Sequence, residues 1–292
     1  MKFLLALAFL PALALAHTGE PLAPHDLWTS WEFAPGVVIP LAISALLYAR
    51  GARRSRGAGA RQIASFWVGW ITLTLALVSP LHPLGEVLFS AHMVQHEILM
   101  LVSAPLLVVS RPLAPMLWGI PFAWRRVAGR AAKVGWIQRT WRGLTDPLTA
   151  WLVHAIALWA WHAPAMFQAT LTSDWAHSAQ HLSFLLSALL FWWSLFYAHG
   201  RLGYGASILY VFTTCVHTSI LGALLTLAPS LWYPAYAGGT AVWGLTPLQD
   251  QQIGGLVMWV PAGVIYMCVG LFLFAQWMRE SEAMAARRWY AN

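Results

Sequence analysis

Apolar runs long enough to cross a bilayer recur along the chain between short polar or basic stretches. They cover roughly Phe33 to Tyr48, Ile63 to Val78, Val87 to Ser110, Leu148 to Phe167, Trp175 to Tyr197, Ala206 to Ala228 and Ile253 to Trp277. A helix rising 1.5 Å per residue needs about 20 residues to cross roughly 30 Å of hydrocarbon. The pattern therefore predicts an all-α integral membrane protein, a bundle of seven transmembrane helices. Ahead of it, Met1 to Ala16 has Lys2, an apolar core from Phe3 to Leu10 and a closing Ala14-Leu15-Ala16, the layout of a cleavable signal peptide. The expected organisation is a signal peptide over 1–16, a periplasmic N-terminal segment over 17–32, the membrane domain over 33–279 and a cytoplasmic tail over 280–292.

Composition agrees with this class. The chain is 59% hydrophobic and 9% charged, where soluble domains carry about 25% charged residues. A net charge of +7 would suggest nucleic acid if the basic residues were clustered without regard to the spans, but they sort by membrane side. Arg50 to Arg61, Arg111 to Arg142, Arg201 and Arg279 to Arg288 all fall on alternate connections, and the connections between hold no Lys or Arg. The positive-inside rule then puts the N-terminus outside and the C-terminus inside. The basic stretch from Arg111 to Thr145, with Trp118, Trp124, Trp136 and Trp141, suits the lipid headgroup region, and its irregular periodicity does not predict one long helix. Cys215 and Cys268 are too far apart for a thiol motif and encode no disulfide framework.

Chemistry concentrates in histidines. His92 and His96 are four residues apart at the start of the third run, and His177 and His181 repeat that spacing at the start of the fifth. Residues four apart share a helix face, and ionisable groups at membrane depth are costly enough to mark a functional site. The two stretches match further, as Ala91-His92-x-x-Gln95-His96 and Ala176-His177-x-x-Gln180-His181. Each precedes a returning run with an internal imidazole, His154 or His217, which suggests a parallel repeat.

The candidate metal ligands are His92, His96, His154, His162, His177, His181 and His217. Asp250 is added as an orienting carboxylate and Met258 as a thioether, which together with Met93 and Met100 favours copper. Interhelical hydrogen bonding is the alternative role for any single ring. His82 and His199 read as loop residues. After cleavage, His17 would present an amine beside an imidazole, with His25 nearby. Glu97, adjacent to His96, must be protonated, paired or wet at its depth.

Several of these segments resemble a known family. They are the third run with Ser103-Ala104-Pro105-Leu106-Leu107 and Arg111-Pro112, Trp159-x-Trp161-His162-x-Pro164, the His177–His181 start with Phe191-Trp192-Trp193, and Asp250-Gln251-Gln252-x-Gly254-Gly255-x-x-Met258-Trp259. From about Trp28 onward the chain is similar to the CtaG family of caa3-type cytochrome c oxidase assembly factors. The resemblance implies a non-enzymatic, multi-pass protein of the bacterial plasma membrane. It would act on cytochrome c oxidase subunits, with periplasmic copper chaperones as further partners, and assist copper insertion or oxidase maturation. It implies no ligand list, so the site residues rest on spacing. A copper transporter and a haem-binding membrane oxidoreductase are the alternatives.

Overall fold

Each apolar run folds chiefly as helix, and the fourth is divided at a proline. In a computed structural model, which describes residues 22–291 except 56 and 198, every regular element is helical. The signal-peptide segment and His17 lie outside the described residues. The chain forms α1 (Pro35–Arg54), α2 (Ala60–Val78), the short α3 (Leu81–Val87) and α4 (Phe89–Ser110). Three short helices follow: α5 (Leu113–Gly119), α6 (Phe122–Ala131) and α7 (Gly135–Leu144). Then come α8 (Pro147–His162), α9 (Pro164–Thr172), α10 (Asp174–Tyr197), α11 (His199–Thr226) and α12 (Pro247–Ala291).

Six helices among the described residues are long and apolar enough to cross a membrane: α1, α2, α4, α10, α11 from Leu202, and α12. The expected fourth span departs from the pattern. The residue before a proline is pushed out of the helical region, and Ala163 accordingly adopts φ −61°, ψ 131° before Pro164. That splits Leu148 to Phe167 between α8 and α9 and leaves α8 at 16 residues. The last apolar run and the expected tail instead form one helix, α12. The basic stretch breaks into α5, α6 and α7, and neither α6 nor α7 buries a residue.

Pro105 shapes α4 from inside. Residues Ile98–Ser103 widen into a π-helical turn, and the Ala104 amide donates to the Leu99 carbonyl, five residues back. The next donor in that register would be residue 105, which as proline has no N–H. The Met100 carbonyl takes its hydrogen bond from outside the helix, from Trp192 Nε1 of α10 at 2.8 Å. One missing donor is thus converted into a tie between α4 and α10 beside the histidines.

The same economy joins α12 to its neighbours. Gly254 faces Phe89 of α4, and Gly255 faces Thr226 and Gly222 of α11, each so closely that a side chain would collide. Successive helical residues are 100° apart, so two adjacent glycines let α12 approach two different helices.

Candidate metal centre

Two elements deliver the central imidazoles. His92 and His96 lie one turn apart on α4 with ring centroids 4.3 Å apart, and His177 and His181 on α10 are 4.4 Å apart. The helices bring the pairs face to face: His92 is 5.1 Å from His177 and 5.5 Å from His181, and His96 is 5.2 Å from His181. All four are buried. Nitrogens of His92, His96 and His181 lie within 4.8 Å of one another, a three-ligand group.

Much of this nitrogen is unspent. Both ring nitrogens of His96 and the Nε2 atoms of His162, His177 and His181 are buried without a hydrogen-bond partner. Leaving a buried polar atom unpaired costs about 1–3 kcal/mol, so a cluster of them is expensive unless something binds there. Other ring nitrogens are held in the manner of metal-ligating histidines, with the far nitrogen oriented by a second group. His162 Nδ1 donates to the Leu158 carbonyl at 2.7 Å, and His92 Nδ1 lies 3.3 Å from both the Gly85 carbonyl and the Tyr236 hydroxyl. His92 Nε2 is 3.1 Å from Gln180 Oε1, so both of its ring nitrogens are engaged and one must be released before His92 can ligate a metal.

Aromatic rings wall the group. Phe167 is 5.2 Å from His92, and Phe184 is 4.6 Å from His96. The connection between α11 and α12 covers it, with Tyr233 donating to the His162 carbonyl at 2.8 Å and Tyr236 to the Gly85 carbonyl at 2.9 Å. Such surroundings strengthen every polar interaction inside.

His82 corrects the sequence reading. Read as a loop residue, it is a member of the group: its ring stacks on His177 at 5.1 Å, and His82, His177 and His181 form a second three-ligand set within 4.8 Å. Ten residues, seven of them in α3, separate α2 from α4, and so short a connection cannot carry His82 away from the helix ends. Gln95 Nε2 donates to the Ala76 carbonyl at 2.7 Å and to His82 Nδ1 at 2.9 Å. The carbonyl fixes the amide's orientation, so His82 accepts at Nδ1 and carries its proton at Nε2, which faces Glu32 at 3.4 Å. Burial holds the His82 pKa below its ordinary value despite the nearby Glu32 charge. Glu86, on the same short helix, is pushed up to about 7, chiefly by the loss of water around its carboxyl and then by the negative Glu32 and Asp174.

The other expected ligands are placed as follows. His162 sits at the edge of the group, 6.2 Å from His96. His154 lies two turns further along α8, where Nδ1 donates to Ser187 Oγ at 3.0 Å. His217 meets the edge of Trp151 at 5.4 Å. Asp250 is spent on α4 and orients no ring directly: its carboxylate accepts from the Phe89 amide at 2.6 Å, the Ser90 amide at 3.1 Å and the Ser90 hydroxyl. It caps the turn that precedes His92. Gln251 and Gln252 bind the connection before α12, through the Trp232 amide and the Ser230 and Ala228 carbonyls. Met258 is packed in the apolar core.

An all-helical membrane bundle with converging imidazoles at one end defines the class. Residues 46–280 match the family Caa3_CtaG, described as cytochrome c oxidase caa3 assembly factor, and the chain belongs to that family. The uncharacterised protein Mb0105 of Mycobacterium bovis is 25% identical over 284 residues, 92% of this chain and 42% of that protein. The uncharacterised protein ML1998 of Mycobacterium leprae is 25% identical over 271 residues, 89% of this chain and 41% of that protein. The chain thus spans about two-fifths of the length of the curated relatives it matches. No solved structure matches it significantly.

Proposed function

We propose that this chain is a plasma-membrane assembly factor for cytochrome c oxidase that holds copper as cargo at His92, His96 and His181 and passes it toward oxidase subunits. The observation that carries the reading is the meeting of two i, i+4 histidine pairs from α4 and α10 with buried ring nitrogens left unpaired. Neutral imidazoles suit copper, zinc, iron and nickel alike. Membership of an oxidase assembly family favours copper, the ion such an oxidase requires.

Haem fits less well, because bis-histidine ligation places the rings on opposite sides of a macrocycle. His96 and His181 approach edge to face at 5.2 Å, which leaves no room for one between them.

In this reading α8 completes a seven-crossing bundle. The basic α5–α7 region lies on the cytoplasmic lipid surface, and the histidine end opens to the periplasm, where copper chaperones can reach it. A cleaved signal peptide is part of the same topology. The chain's own contribution is binding and orientation, with no catalytic step.

Copper analysis of the purified full chain tests the proposal. The unaltered protein retains copper, and the triple variant His92→Ala, His96→Ala, His181→Ala loses it while keeping its helical circular-dichroism signal. A deletion strain carrying that variant makes oxidase deficient in copper. Copper-free wild-type protein together with normal oxidase copper in the deletion strain would refute the assignment.

A further inference from the structure

Beyond the imidazole triad, the α3 end of the molecule holds a ligand set of different chemistry. Glu32, His82 and Glu86 offer two carboxylate oxygens and a ring nitrogen within 4.8 Å of one another. Glu32 is held there by its own backbone, whose amide donates to the Val78 carbonyl at the end of α2 at 3.0 Å.

This set is more than an acidic patch. His82 belongs both to it and to the group with His177 and His181, while His181 also belongs to the group with His92 and His96. Neighbouring sets thus share one residue each. The middle set contains His177 Nε2 and His181 Nε2, both buried and unpartnered. The donor character changes in order, from carboxylate with imidazole at the outer edge, where His82 is half-buried, to imidazole alone at the buried end. Hard oxygen donors accept a hydrated divalent cation readily, and nitrogen donors hold a softer, dehydrated one.

We infer that Glu32, His82 and Glu86 form an entrance site for a divalent cation of the copper(II) type, from which the ion reaches the histidine triad by exchanging one shared ligand at a time. Ligation through His82 Nε2 requires its proton to move to Nδ1. Gln95 allows this, since its Oε1 is unpartnered and turning the amide presents that oxygen to Nδ1–H, at the expense of the bond to the Ala76 carbonyl. This inference rests on the copper reading of the triad but adds a separate site, so the two can fail separately.

Copper(II) chloride added to the purified full chain, followed by electron paramagnetic resonance and stopped-flow absorbance, provides the test. The Glu32→Gln, Glu86→Gln variant fills the histidine triad to the wild-type amount but about tenfold more slowly, as expected when a charged entrance is neutralised. The His92→Ala, His96→Ala variant retains one copper(II) whose g values and copper hyperfine splitting correspond to mixed oxygen and nitrogen ligation, and adding the two glutamate substitutions removes it. Wild-type loading rate in the glutamate variant, or no copper(II) in the histidine variant, overturns the entrance site and leaves the triad intact. If the unaltered chain binds no copper, both readings fall.

Discussion

Histidines occur in two places in this bundle, and the two places treat the same side chain differently. At the α3 end, rings from α3, α4, α8 and α10 crowd to centroid distances of 4.3 to 6.2 Å, and several nitrogens are left without partners. About two turns further in, His154 is committed to a serine hydroxyl that in turn donates to the Phe184 carbonyl. His217 there rests against a tryptophan edge and, like His96, has both ring nitrogens without a hydrogen-bond partner, but it stands apart from the other rings of the cluster. Among the described residues, neither joins a group of three potential metal ligands. An imidazole supplied with a hydrogen-bond acceptor behaves as interhelical glue. Imidazoles that converge on one another offer several ligand atoms to one point, which the isolated His217 does not, and the copper proposal rests on that convergence.

The sharpest way to break this contrast is to remove ligands from each place in turn. Replacing His92, His96 and His181 by alanine should weaken copper binding more than about 100-fold, beyond the 10–100-fold typical for loss of an orienting partner. Replacing His154 and His217 should change it less than about twofold, as for sites that share no partner. Equal losses from both sets, read by isothermal titration of the purified variants, would erase the distinction.

A smaller effect is expected from Gln180→Ala. Its amide oxygen supports His92 Nε2 and its amide nitrogen has no partner, so it orients without being indispensable. Copper affinity should drop about tenfold with little change in thermal stability in detergent.

Asp250→Ala removes the carboxylate that caps α4, and should lower unfolding stability by about 1–2 kcal/mol, the usual worth of a helix cap. Asp250→Asn should recover part of this, because its one amide oxygen still accepts from either the Phe89 or the Ser90 amide, which bind different carboxylate oxygens in the native protein. A destabilisation confined to the metal-loaded protein would instead make Asp250 a ligand.

The least effect belongs to Ser187→Ala. An interhelical hydrogen bond within a membrane averages about 0.6 kcal/mol, so a small loss of stability and no loss of copper is the expected result. A marked copper defect would extend the metal centre to the inner pair.

Parts of this arrangement are legible in the sequence because they are local. The apolar runs follow from hydrocarbon thickness and helical rise, and the pairing of His92 with His96 and of His177 with His181 follows from the helical period. Pro164 marks its own break. His82 carries no such signal: a histidine in a short connection looks the same whether it faces solvent or a neighbouring ring. Its nearness to the site follows from the shortness of α3, a clue that acquires meaning only once α3 and the start of α4 are known to pack beside α10. Asp250 heads a motif that invites a metal reading, yet its carboxylate is claimed by backbone amides from a helix 160 residues away in sequence.

What the amino-acid order determined by itself was the membrane class, the helical segments and the histidine spacing, since each depends on interactions within a turn or two. Tertiary structure alone decided which imidazoles meet, which nitrogens stay unpaired and what Asp250, Gln95 and Gln180 hold. Those outcomes depend on how each helix is rotated against its neighbours. That rotation is set by close approach at Gly254 and Gly255 and by the Trp192 tie to the Met100 carbonyl, contacts between residues far apart along the chain.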